Sequence, residues 1–130
     1  MSLGNSYPTR STIPNTDIVR GVWTGGGAAA NCTKAPADWS RGIKSITYNA
    51  ATGKYLVTFV DAGQQYVGGG IDVCGVSGGA KKYAHILRST YSPSAKTVQI
   101  EIQTGAGVLA DLLTTEQIVC EFVLVTNKPT

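Results

Sequence analysis

The sequence predicts an all-β fold: an antiparallel β-sandwich, or a β-tulip or barrel-like module, with an extended N-terminal arm. Three observations lead there. Residues 97–103 (TVQIEIQ) alternate without a fault, with Val98, Ile100 and Ile102 on one side and Thr97, Gln99, Glu101 and Gln103 on the other. That is the pattern of a strand with one wet face. Residues 43–60 hold two runs of β-branched and aromatic residues around Asn49-Ala50-Ala51-Thr52-Gly53, a connection whose Asn and Gly suit a short chain reversal. Finally, 16 glycines in 130 residues, with only 15% charged residues, suit short strands joined by turns rather than a helical bundle.

In chain order, residues 1–16 are polar, punctuated by Pro8 and Pro14, and read as an arm ahead of a single β domain over 17–130. Residues 17–23 (DIVRGVW) form a short strand, and 24–38 a loop of small residues. Gly25, Gly27 and Ala30 loosely match a dinucleotide fingerprint. Asn31, Thr33 and Pro36 break the helix that such a site requires. The central hairpin follows; its second arm places Tyr55, Val57 and Phe59 on one face and Leu56, Thr58 and Val60 on the other, both expected to be covered. Within 64–77, Gly68-Gly69-Gly70 implies a bulge, a bend or close backbone approach. Residues 82–91 read as a strand with Tyr83, His85, Leu87, Ser89 and Tyr91 on one side. Residues 104–117 leave room for a helical turn or two, where Val108, Leu109, Leu112 and Leu113 are either a lid on the core or a contact surface. Residues 118–126 are apolar on both faces apart from Glu121, which places them mid-sheet or in an interface.

The candidate chemistry is sparse. The net charge of +3 comes from 11 basic and 8 acidic residues, scattered with only Lys81 and Lys82 adjacent, so no nucleic-acid partner is expected. No apolar run approaches the ~20 residues of a membrane-spanning helix, so no membrane partner is expected either. Cys32, Cys74 and Cys120 lie far apart and read as reduced structural thiols, with one disulfide as the alternative. The single histidine, His85, has no G-x-S-x-G elbow beside it, and no set of residues at zinc-ligand spacing occurs. No enzyme activity, metal or cofactor is expected.

The order of these pieces resembles bacteriophage virion proteins of the capsid decoration, or cement, type. The features shared are the short strand 17–23, the hairpin SITYNAATGKYLVTFVDAG over 45–63, the strand TVQIEIQ, and the closing TTEQIVCEFVLVTN over 114–127. The resemblance implies a β module, often trimeric, on the outer surface of a capsid. Its partner would be the major capsid protein, and its place the virion after synthesis in the host cytoplasm. Tyr7, Arg10 and Ile13 are then expected as arm contacts. Trp23 and Trp39 would anchor the core or a subunit seam, and Val108, Leu109, Leu112 and Leu113 would form a loop patch. The alternative is a receptor- or glycan-binding module of a phage fibre or tail, which needs an exposed aromatic platform ringed by Asn, Asp or Gln.

Overall fold

The computed structural model describes residues 16–35, 40–61, 65–75 and 81–125. The expected contacts Tyr7, Arg10, Ile13 and Trp39 lie outside them. Among the described residues there are eight strands and no helix: β1 (Thr16–Thr24), β2 (Thr33–Lys34), β3 (Ile43–Tyr48), β4 (Lys54–Phe59), β5 (Gln65–Gly75), β6 (Lys82–Ser92), β7 (Thr97–Thr104) and β8 (Glu116–Val125). They form two four-stranded sheets, in the orders β2-β1-β8-β5 and β3-β4-β7-β6. Every paired neighbour is antiparallel. The two sheets pack face to face as a β-sandwich.

Period-2 alternation builds the core. Tyr55, Val57 and Phe59 of β4 meet Val98, Ile100 and Ile102 of β7 on one inner face, and Ile118, Cys120, Phe122 and Leu124 of β8 line the other; all are buried. Phe59 and Phe122 touch edge to face across the layer, with ring centroids 5.2 Å apart, the offset geometry that ring quadrupoles favour. Strand β8 lies between β1 and β5, mid-sheet as its sequence suggests.

Four local readings are corrected. The outer face of β4 is not covered: Leu56 and Thr58 are half-buried and Val60 just beyond is exposed, because only the inner face meets the second sheet. A register shift between Leu87 and Ser92 turns Tyr91 toward Phe59, so Tyr91 leaves the side it would share with Tyr83 and His85. The short strand β2 lies inside the small-residue loop, pairing Thr33 and Lys34 with Thr24 and Trp23. No helical turn forms over 104–117. The chain makes turns there, with one isolated bridge between Gln103 and Leu109, because tertiary hydrogen bonds take up its backbone.

The three consecutive glycines of β5, Gly68, Gly69 and Gly70, do separate jobs. The ladder slips between Tyr66 and Gly68, and Gly69 (φ +141°) then passes so close to β8 that an added Cβ would lie 2.0 Å from the Glu121 carbonyl oxygen. At Gly70, one residue on, an added Cβ meets nothing within 4 Å. Gly69→Ala is therefore expected to destabilise the fold by at least ~2 kcal/mol. Gly70→Ala should be neutral, or stabilising by up to ~1 kcal/mol through the unfolded chain. Urea denaturation of the two variants checks the contrast.

Candidate functional site

Two surfaces stand out: a pinned loop at one end of the sandwich and the outer face of the β1–β8–β5 sheet. The loop, residues 105–115, is fixed at several points. Ala110 donates its N–H to the Ile102 carbonyl at 3.0 Å, and the Tyr55 hydroxyl accepts the Leu112 N–H at 2.9 Å. The Asp111 carboxylate accepts N–H bonds from Gly53 (2.7 Å) and Ala29 (3.0 Å), tying the loop to two others.

Beneath it, Lys82 opens β6 in one sheet and Glu116 opens β8 in the other. Both side chains point inward and meet at 2.8 Å, 12% and 9% exposed. The Lys82 ammonium also donates to the Asp111 carbonyl, and Glu116 Oε1 accepts the Leu113 N–H, each at 2.8 Å. Two of the three ammonium donors and one carboxylate oxygen are thereby engaged, the kind of bonding a buried ion pair needs if attraction is to offset desolvation.

This pinning divides the four aliphatic residues of the loop. Leu112 is fully buried and seals the core, so it is not a surface contact. Leu109 is half-buried, while Val108 and Leu113 are 61% and 53% exposed on a backbone that cannot fold them away. A lid on the core and a pair of exposed apolar side chains are thus both present, carried by different residues. Trp23 is 5% exposed and belongs to the core; its indole N–H has no hydrogen-bond partner among the described residues.

On the sheet face, alternation and register set the rows. Ile18 lies across from Val123, Arg20 from Glu121, and Val22 from Val119. On the far side of β8 the same rows continue with Gly68, Gly70 and Asp72. Beyond β1, Arg41 bridges to Arg20. Ile18 is 53% and Val119 38% exposed. Arg20 and Glu121 form a half-exposed ion pair at 3.3 Å, and a shallow groove of about 480 Å³ runs past them over Gly70. At the β5 margin Lys81 pairs with Asp72 at 2.8 Å and holds its carboxyl below its ordinary value by that hydrogen bond.

Periodicity located the strands of this face. Their outward row was missed because Arg20 and Glu121 are 101 positions apart in the chain, and only the β1–β8 register brings them together.

The remaining reactive groups are dispersed. His85 is exposed on the outer face of the other sheet, 3.2 Å from Gln103. The three cysteines are free; Cys32 and Cys120 are buried, and Cys74 is exposed. Burial pushes the Cys32 and Cys120 thiols up to about 12 from 9.0. Among the described residues no group of three or more His, Cys, Asp or Glu could hold a metal ion.

Two outcomes follow. Glu116→Ala strands Lys82 in the interior and should cost about 3–5 kcal/mol in urea denaturation, with faster amide exchange at Leu113. The thiols set an alkaline limit. Below pH 9 both states keep the thiol protons and the full contribution is present. From pH 9 to about 12 the unfolded thiols ionise while the buried ones do not. Stability then falls by roughly 1.4 kcal/mol per pH unit per thiol. Urea midpoints above pH 9 should decline, less steeply in Cys120→Ala.

No family model, no curated protein and no solved structure matches this chain.

Proposed function

We propose that this protein is a structural component of a virion, a decoration or cement protein that binds the outer surface of a phage capsid and stabilises the shell. The observation that carries the reading is the pinned loop. Val108 and Leu113 stand out from one end of the sandwich, on backbone held by the Asp111, Tyr55 and Glu116 hydrogen bonds. An apolar prominence that is already rigid loses little conformational entropy on docking, so its burial contributes more fully to binding. The β-sandwich is also the architecture that the resemblance to decoration proteins implies. Attachment in many copies multiplies modest contacts by raising effective concentration.

A second reading has its own support. Tyr83 is 51% exposed on the outer face of β6, across from Gln103, with His85 bonded to that amide. An exposed ring beside amide and imidazole groups is the surface a sugar would stack on, as in a receptor- or glycan-binding module of a fibre or tail.

Co-sedimentation with undecorated capsids tests the first reading. The chain is expected to pellet with the shells, and Val108→Asp with Leu113→Asp to reduce the bound fraction at least tenfold while the fold is kept. Failure to pellet, or binding untouched by both changes, overturns it. Binding on a glycan array that is lost in Tyr83→Ala would favour the second.

A further inference from the structure

The outer face of the β1–β8–β5 sheet carries a pattern that singles out an occupant. Across the strands its central row reads Arg41, Arg20, Glu121, Gly70, and its flanking rows pair Ile18 with Val123 and Val22 with Val119. We infer that this face binds the same face of a second copy, about a two-fold axis lying between the sheets, parallel to the strands and passing between β1 and β8.

The charge pattern selects that axis. A two-fold along the strands reverses the order of each row while keeping its height. Arg20 then faces Glu121 of the second copy, and Arg41 faces its Gly70. Ile18 meets Val123, and Val22 meets Val119. A two-fold across the strands would instead set Arg20 over Arg20 and Glu121 over Glu121. Like charges in contact oppose association, so only the first arrangement is self-complementary.

Shape agrees with charge. An added Cβ at Gly68 or Gly70 meets nothing within 4 Å, so β5 offers a bare strip where the long Arg41 side chain of the other copy can lie. The Lys81–Asp72 pair at the margin is already neutralised. Three strands of about ten residues, at ~3.3 Å per residue and ~4.8 Å between strands, bury roughly 1,000 Å² over both copies once the pleat is counted. That is the lower end for a specific interface, so the dimer should dissociate on dilution. Sheets stacked this way cross by roughly 30°, and the rows match best at the Arg20–Glu121 centre.

The consequence for shell binding rests on the reading above. Because the axis runs along the strands, the 105–115 loops of both copies point the same way, and one dimer presents two Val108–Leu113 prominences to a lattice.

Sedimentation velocity over a hundredfold range of protein concentration tests the dimer, with circular dichroism and thermal midpoints verifying that each variant folds. The native chain is expected to pass from monomer to dimer. Arg20→Glu and Glu121→Arg should each remain monomeric, and the double exchange Arg20→Glu with Glu121→Arg should restore the dimer. Gly70→Lys, which has room within one copy, should block it. A native chain that is monomeric throughout, or trimeric, overturns the inference. So does a dimer that survives Gly70→Lys, or a double exchange no better than the single changes. Loss of capsid co-sedimentation with the dimer intact would strike only the shell reading.

Discussion

The Lys82–Glu116 ion pair is the interaction on which both surfaces depend. It lies inside the sandwich, at the first residue of β6 and the first residue of β8, and joins the two sheets at one end. Two apolar residues there could pack as well, and a buried pair adds little net stability over them. Its value lies in register. Because side chains alternate, a one-residue slip of β8 would send Glu121 and Val119 into the core and Cys120 and Phe122 out. With Glu116 held by the Lys82 ammonium and the Leu113 N–H, that slip strands a charge in the interior. The same contacts fix the height of the loop, so Leu112 drops into the core while Leu113 cannot.

Strand β5 shows how a glycine-rich edge is kept from uncontrolled pairing. An edge of 11 residues with so few side chains would ordinarily invite another strand. Two of its carbonyls are occupied: Lys81 donates to Val73 and Arg88 to Val67, and the Arg88 guanidinium lies over the Tyr66 ring. Cationic side chains thus cover the edge. The face of the same strand stays bare at Gly68 and Gly70, which directs contact to the flat of the sheet and away from its rim.

The strands were legible in the sequence where one periodicity governed them. The alternation at 97–103 gave β7 its inner row, Val98, Ile100 and Ile102, and the Asn49–Gly53 connection gave the hairpin. The Gly68–Gly70 run implied a bulge, a bend or a close approach, and the strand has a register slip between Tyr66 and Gly68 and a close approach of Gly69 to Glu121. What escaped had no local signal. Lys82 read only as one of two adjacent lysines because its partner lies 34 residues away. Leu112 and Leu113 are adjacent and chemically identical. Bonds from the Leu112 N–H to the Tyr55 hydroxyl and from the Leu113 N–H to Glu116 decide which of them turns inward. The apolar outer side of β8 was legible as something to be covered, yet among the described residues Val119 stays 38% exposed there.

That uncovered side bears on oligomer number. A closed trimer pairs two different patches around a three-fold axis, so nothing requires either patch to complement itself. The β1–β8–β5 face does complement itself, in charge at Arg20 and Glu121 and in bulk at Arg41 and Gly70. A self-complementary patch is what a two-fold axis demands. A dimer built on it shields the exposed Ile18 and Val119, leaves the 105–115 loops free, and sets both at one end of the assembly. Division of labour between sheet face and loop then follows from the direction of the strands. In the proposed dimer the face meets a second copy, and the loop, lying along the axis, is left for something larger.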